Sequence, residues 1–468
     1  MAVMLCATPC ALAQTRLNLT ECRDMALHNN KQVEINNENK EAAKYMRKAA
    51  LSNFFPTFSA NGAYIHNSRD LYLMPDEAEF PFGTMNADGT FTFNTNLINT
   101  YMPVLDDKIS DWVARQYLDL REESKISLNN IVVGEVGVKQ PIFMGGKIVE
   151  MYKMSKVAEE MLDIKSRQQN SEILVSVDEA YWRVISVENK KKVAEKYCDM
   201  LRKVDKDLES AIAEGTATRS DQLTVRVKLN EAEINLAKAE DGLVLSKMAL
   251  CQICGLPLDS EIYLDDFGLG QASTLTNSGY ADNAVDNRDE VLLLKDMDKL
   301  AKSGVHIAAS QLMPTVVAGA TYYASMPNLF NGVDDSSMRG SFAAGVVVNI
   351  PIANANDICN LKAAKHKART VELQLEEAQE KIRLQVTQTE QQLAEANRKL
   401  SMATANIDNA EENLRMAQAG FEEGMISSTE LMGAQTAWLK AYSEKIDASI
   451  EVRLYETYLM KNAGRNIQ

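Results

Sequence analysis

The chain carries one short pattern twice, 209 residues apart, and this duplication limits its architecture more than any other feature. Glu214-Gly215-Thr-Ala-Thr-Arg-Ser-Asp221 opens a block that closes at Gly255, and Glu423-Gly424-Met-Ile-Ser-Ser-Thr-Glu430 opens a block that closes at Gly464. Both Gly-to-Gly spans are 40 residues. Periods of roughly 20–50 residues build solenoids, whereas so long a period means one large unit used twice.

Each unit is dominated by helix. From Lys147 to Glu214 the chain has no Pro and no Gly, and the stretch Asp357 to Gln418 is equally free of both. Ala, Glu, Lys, Leu and Gln fill these segments, a composition that favours helix. At 1.5 Å per residue the first would be about 100 Å long. A pattern this long without internal caps reads as coiled coil or helical array. In the second, Leu373, Ala378, Ile382, Leu384 and Val386 outline a broken apolar stripe. Gly215 and Gly424 then reverse the chain. Thr218-x-x-Asp221 and Ser427-x-x-Glu430 follow as helix-start signatures. The spacing predicts long helices over 147–213 and 357–421 and return helices over 221–252 and 428–463.

Two strand-like segments precede each long helix. Phe58, Ala60, Gly62 and Tyr64 alternate with Thr57, Ser59, Asn61 and Ala63; Val132, Gly134, Val136 and Val138 alternate with Glu135 and Lys139. In the second unit the apolar set is Val316, Ala318, Ala320 and Tyr322, then Phe342, Ala344, Val346 and Val348, while Ser341, Ala343, Gly345 and Asn349 face away. Strands are expected over 57–66, 131–140, 315–324 and 341–350. One apolar and one small or polar face suits a strand between lipid and water, and equally a half-buried soluble sheet. Pro141-Ile-Phe-Met-Gly145-Gly146 is read as a break before the long helix. Pro56 and Pro141 are 85 residues apart, Pro314 and Pro351 only 37. The excess falls in 67–129, read as a long external loop holding a short helix near Ile109–Tyr117. The two repeats thus span 14–255 and 285–464, with 256–284 as a linker.

Bulk properties narrow the function. A net charge of −15 argues against a nucleic-acid partner; it leaves open a soluble surface or an acidic interior. Residues 1–13 are apolar, uncharged and end in Ala11-Leu12-Ala13, which fits the remnant of a secretory leader lacking its positive start. Ala7-Thr8-Pro9 ahead of Cys10 is a poor lipidation context. Beyond residue 13 stand five cysteines, Cys22, Cys198, Cys251, Cys254 and Cys359, an odd and scattered set that does not read as a disulfide framework. Cys251-Gln-Ile-Cys254 matches C-x-x-C, but at the apolar end of a helix it is assigned to core packing. The four histidines show no metal-ligand spacing. With no nucleophile–base pair and no phosphate loop, neither enzymatic activity nor a cofactor is expected.

The opening Leu17-x-Leu19-x-Glu21 with Ala26-Leu27 and Asn30, Phe55-Pro56, Met313-Pro314, Gln140-Pro141-Ile-Phe-Met-Gly145-Gly146 and the two Glu-Gly turns, in this order and at these distances, resemble the TolC-like outer-membrane efflux family over essentially the whole mature chain. The resemblance implies a mainly α chain with a membrane β-barrel portion. Three copies would form a 12-strand barrel continued by a 12-helix periplasmic tunnel, contacting outer-membrane lipid. An independent argument agrees: four strands cannot close a barrel, and bare edges are not tolerated in lipid. The resemblance further implies a passive exit duct for drug efflux or secretion, coupled through a periplasmic adaptor to an inner-membrane pump. It makes Gly215, Thr218, Gly424 and Ser427 adaptor-contact tips, and Glu430 and Asp221 gate carboxylates. Glu135, Lys139 and Asn349 would line the barrel. Two positions depart from the family pattern: Gly433 stands where a second acid is expected, and Ile426 where a cation would latch Asp221. A looser resting gate follows. Three converging Glu430 carboxylates would raise each other's pKa; the competing reading is that Asp221 and Glu430 only complement helix N-termini. Two other functions stay open from the residues alone, a water-soluble coiled-coil scaffold and a ligand-specific porin.

Overall fold

The computed structural model describes residues 15–68, 71–94, 107–126, 130–265, 269–275, 280–327, 337–352 and 355–465; the expected leader lies outside them. The chain divides into two compact units. One comprises Met1–Lys48, Met151–Val305 and Asn360–Gln468, the other Ala49–Glu150 and His306–Cys359. In chain order the elements are β1 (Thr15–Leu17), α1 (Leu19–Asn29), α2 (Lys31–Ser52), β2 (Thr57–His66), β3 (Leu71–Tyr72), β4 (Ala78–Phe80), β5 (Gly83–Met85), β6 (Phe91–Phe93), α3 (Asp107–Glu123), β7 (Lys125–Ile126), β8 (Asn130–Met144), α4 (Lys147–Ala213), α5 (Arg219–Cys254), β9 (Ile262–Leu264), α6 (Tyr280–Asn287), α7 (Asp289–Ser310), β10 (Thr315–Met326), β11 (Arg339–Asn349), α8 (Ala355–Glu422) and α9 (Ser428–Asn462).

The first unit is helical and holds two cores. On α4 the buried residues Ile173, Val177, Tyr181 and Val184, then Val193, Tyr197, Leu201, Val204 and Leu208, recur at three- and four-residue steps. This places them on one stripe of the helix. They pack with Val225 and Leu250 of α5 and Trp438 and Ile446 of α9. On α8 the buried series Val386, Leu393, Ala396, Leu400, Ala403, Ile407, Ala410 and Leu414 alternates steps of three and four after its first heptad. That is a coiled-coil seam. Its upper part packs against Val452 and Leu459 of α9 and Val291 of α7. Leu373 and Leu384 are exposed and lie off the seam: two residues past Ile382, a side chain points about 200° around the helix. β1 and β9 pair in parallel. Asp265 N–H donates to the Leu17 carbonyl at 3.2 Å, tying β1 to the 256–284 segment.

The second unit contains a four-stranded antiparallel sheet in the order β11-β10-β8-β2. β8 does not stop at the expected break. It runs through Pro141 to Met144. Pro141 lies beyond the last β2 pair, Thr57 with Lys139, and faces Val317 at a register shift. A residue without an N–H is tolerated at such a site. The turn comes only at Gly145 and Gly146. A Cβ on Gly145 would meet the Ser310 carbonyl oxygen at 2.7 Å.

The segment read as a long loop is partly folded. β4, β5 and β6 form an antiparallel sheet, and α3 lays Ala114 and Tyr117 on it with Met85 and Phe91. Phe80 and Tyr117 meet edge to face at 5.8 Å. Asn86-Ala-Asp-Gly89 is the β5–β6 turn, with Asn86 N–H donating to Thr90 O at 2.8 Å. Residues 95–106 of this segment lie outside the described set.

Candidate functional site

The sheet sorts its side chains onto two surfaces. Directly paired residues point the same way, so the registers Phe58–Val138–Ala320–Ala344, Ala60–Val136–Tyr322–Phe342 and Gly62–Gly134–Ala324–Gly340 describe one apolar face. Among the described residues nothing covers it: Phe58 is 81% exposed and Phe342 68%. The opposite face reads Thr57–Lys139–Gly319–Gly345, Ser59–Gly137–Thr321–Ala343 and Asn61–Glu135–Tyr323–Ser341. Glu135, Lys139 and Asn349 therefore share one surface. Tyr323 and Asn61 flank Glu135 there, and Arg339 closes the same face at the β11 end. Tyr323 escaped the sequence reading, although its odd-numbered place beside Tyr322 puts it on the polar side. β2 and β11 each have one paired neighbour and are exposed along their whole length.

In the helical unit the two turns are near copies. Thr216 N–H donates to Ala211 O at 2.9 Å and Gly215 N–H to Ile212 O at 3.0 Å; Met425 N–H donates to Gly420 O at 2.7 Å and Gly424 N–H to Phe421 O at 3.0 Å. This is the left-handed glycine stop that satisfies the last carbonyls of a helix. Gly215 has φ 77° and Gly424 φ 73°. Open space surrounds both, so backbone conformation rather than crowding requires glycine.

Each turn runs straight into a capping box. Asp221 N–H donates to Thr218 Oγ1 at 3.3 Å, and Thr218 N–H donates to Asp221 Oδ2 at 3.2 Å. Glu430 N–H donates to Ser427 Oγ at 3.2 Å, and Ser427 N–H donates to Glu430 Oε2 at 2.8 Å. Within one chain both carboxylates are thus folded back onto helix starts. The backbone N–H and hydroxyl of Ser427 hold the Glu430 carboxyl below its ordinary value, the reverse of the rise expected from converging like charges. Ile426 turns inward against the core, and Gly433 is exposed with open space around it.

Ser427→Ala should loosen the first turn of α9 by about 1 kcal/mol, read as several-fold faster amide exchange at residues 428–431. The Glu430 contribution has a defined sign. Its folded pKa is lowered, so the stabilisation is complete above the ordinary glutamate range and disappears as pH falls through the lowered value. Exchange protection at this turn that does not change with acidification would contradict the assignment.

A buried charge network also escaped the sequence reading. Arg23 donates from Nε to Asp178 Oδ1 at 2.8 Å and from Nη2 to Oδ2 at 2.6 Å, and Thr457 Oγ1 donates to the same Oδ2 at 2.6 Å. Asp178 is fully buried. Three helices, α1, α4 and α9, converge on one carboxylate. The only sequence cue is an acid inside the apolar stripe of α4, between Val177 and Tyr181. Among the described residues no cluster of three or more His, Cys, Asp or Glu is placed to hold a metal ion. No described helix is long and apolar enough to cross a membrane.

Comparison with known proteins agrees with this architecture. Residues 283–465 match the family described as outer membrane efflux protein. No curated protein sequence matches the chain. Among solved structures, CusC superposes with a TM-score of 0.72 at 13% identity, over 96% of this chain and 92% of its own. A membrane protein from Pseudomonas aeruginosa gives 0.72 at 13%, over 95% and 93%. The outer membrane protein VceC of Vibrio cholerae gives 0.69 at 13%, over 96% and 97%. The sequence match over 283–465 and the fold shared over nearly the full length make this chain similar to the outer membrane efflux proteins in that segment and to these channels in fold.

Proposed function

We propose that this outer-membrane channel protein works as one third of a passive exit duct for drug efflux or secretion, linked through a periplasmic adaptor to an inner-membrane pump. The observation that carries the reading is the four-stranded sheet with two bare edges and one exposed apolar face. Unpaired backbone groups cannot stand in hydrocarbon, so other copies must supply the missing partners. Three copies give twelve strands, an even number within the range of such barrels. In that arrangement the apolar face meets lipid, and Glu135, Lys139 and Asn349 line water. The uncovered Phe58 and Phe342 disfavour a soluble scaffold, and the two-strand contribution of each repeat disfavours a self-contained porin.

The chain is read as two repeats, 14–255 and 285–464, joined by 256–284. The tips at Gly215, Thr218, Gly424 and Ser427 meet the adaptor, and Asp221 and Glu430 lie at the gate. With Ile426 half-buried against the core and Gly433 lacking a carboxylate, the gate has no ionic latch and rests loosely.

Membrane fractionation tests the reading. The expected result is detergent-dependent recovery from the outer membrane as a species of about three times the 52.0 kDa chain. A soluble monomer would end it. Single-channel recording tests the gate: a low-conductance pore blocked by cations would count against a loose resting state.

A further inference from the structure

The C-x-x-C pair at the end of α5, assigned to core packing in the sequence, lies beside a third cysteine 232 residues away in the chain. Cys22 on α1 and Cys254, the last residue of α5, are 0% and 1% exposed. The Cys254 thiol donates to the Cys22 carbonyl oxygen at 3.6 Å. The backbone around them is held close on both sides. Asn30 Nδ2 donates to Ile253 O at 3.0 Å. Gly255, at φ 72°, leaves so little room that a Cβ there would stand 2.6 Å from Asn29 Cβ. Leu256 N–H donates to Cys251 O at 2.8 Å and fixes the helix end. The end of α1 and the end of α5 are therefore clamped together whatever the state of the sulfurs.

We propose that Cys22 and Cys254 are joined by a disulfide in the exported protein, formed by exchange with a disulfide-bearing oxidant of the periplasm while the chain folds. This rests on the outer-membrane reading, because the route to that membrane crosses an oxidising compartment. The exchange balances. The Cys254 thiolate attacks the oxidant's disulfide and one oxidant sulfur leaves as thiolate; the Cys22 thiolate then attacks the Cys254 sulfur of the mixed disulfide and releases the second. The chain gives up two thiol protons and two electrons, and the oxidant becomes a dithiol.

In the folded core the Cys22 thiol lies close enough to Cys254 for their hydrogen bond to lower the Cys254 pKa and, together with burial, to raise that of Cys22. Cys251 is the poorer partner: burial raises its pKa, and its thiol points toward the Ser260 carbonyl at 4.0 Å. Burial also sets the timing. The oxidant must act before the core closes, and afterwards the bond is shielded from reductant. The link would fasten α1 to the end of α5.

The test uses the full chain purified in detergent from the outer-membrane fraction, so that only exported protein is assayed. It is denatured in iodoacetamide without reductant, digested and sequenced by mass spectrometry. The expected result is a cross-linked pair of peptides, lighter by two hydrogen atoms than their sum, with Cys22 and Cys254 unalkylated and Cys198, Cys251 and Cys359 alkylated. Dithiothreitol should open the link only after denaturant is added. Cys251→Ser should keep the cross-link and Cys254→Ser should abolish it. Alkylation of both Cys22 and Cys254 in protein recovered as the membrane oligomer would overturn this proposal while leaving the channel reading intact. A Cys22–Cys251 bond that survives Cys254→Ser would overturn it as well.

Discussion

Asp178→Ala should destabilise the helical unit by about 3–5 kcal/mol, the characteristic cost of removing one partner from a buried ion pair. The substitution leaves the Arg23 guanidinium, only 11% exposed, without its carboxylate. It also takes an acceptor from the Thr457 hydroxyl. Thermal melting of the detergent-solubilised chain reads the effect directly. Arg23→Leu alone should cost nearly as much, because it leaves the carboxylate of Asp178 buried and uncompensated. The double variant Arg23→Leu/Asp178→Leu should regain much of the loss, since apolar replacement of both members of a buried pair is often close to neutral. A melting temperature of Asp178→Ala matching the parent would show that the network is not what fastens α1 and α9 to α4.

Val136→Arg should be comparably damaging in the sheet, and Glu135→Gln should be almost silent. The two residues are neighbours on β8 but belong to opposite faces: Val136 pairs with Ala60 and Tyr322, Glu135 with Asn61 and Tyr323. If the apolar face meets lipid, a guanidinium there costs about 2–4 kcal/mol near the bilayer midplane. The measurement is the yield of folded oligomer in outer membranes for each variant. Equal yields would mean that the apolar face does not contact hydrocarbon.

The sequence disclosed the long helices because nothing in 147–214 or 357–418 can stop one. It disclosed the two faces of the sheet because alternation at Phe58–Tyr64 or Phe342–Val348 has a period of two residues that no helix shares. Local chemistry was equally legible at the turns, where Thr218-x-x-Asp221 and Ser427-x-x-Glu430 name their own hydrogen bonds. What escaped depends on contacts across long stretches of chain. Nothing near Arg23 points to Asp178, and nothing near Cys22 points to Cys254; only the packing of α1 brings them together. The folded part of 67–129 was hidden for a different reason. Its strands are three residues long, too short for alternation to register, so Phe80, Phe91 and Phe93 looked like a loop with aromatic decoration. On α8, Leu384 read as part of a stripe, but the three-and-four spacing of the seam runs from Ile382 to Val386 and onward and passes it by. Pro141 appeared to end a strand because its tolerance depends on a register shift with β10 that one strand cannot reveal.

Among the described residues the two margins of the sheet, β2 and β11, are different surfaces, so in the proposed assembly joining one molecule to the next would be a head-to-tail union rather than a handshake between like patches. Such a union has no built-in stopping point: it ends only when accumulated curvature brings the last free margin back to the first. If that rotation goes astray, the same backbone pairing continues as an open filament. If the proposed ring is right, its assembly would be a contest between closure and polymerisation.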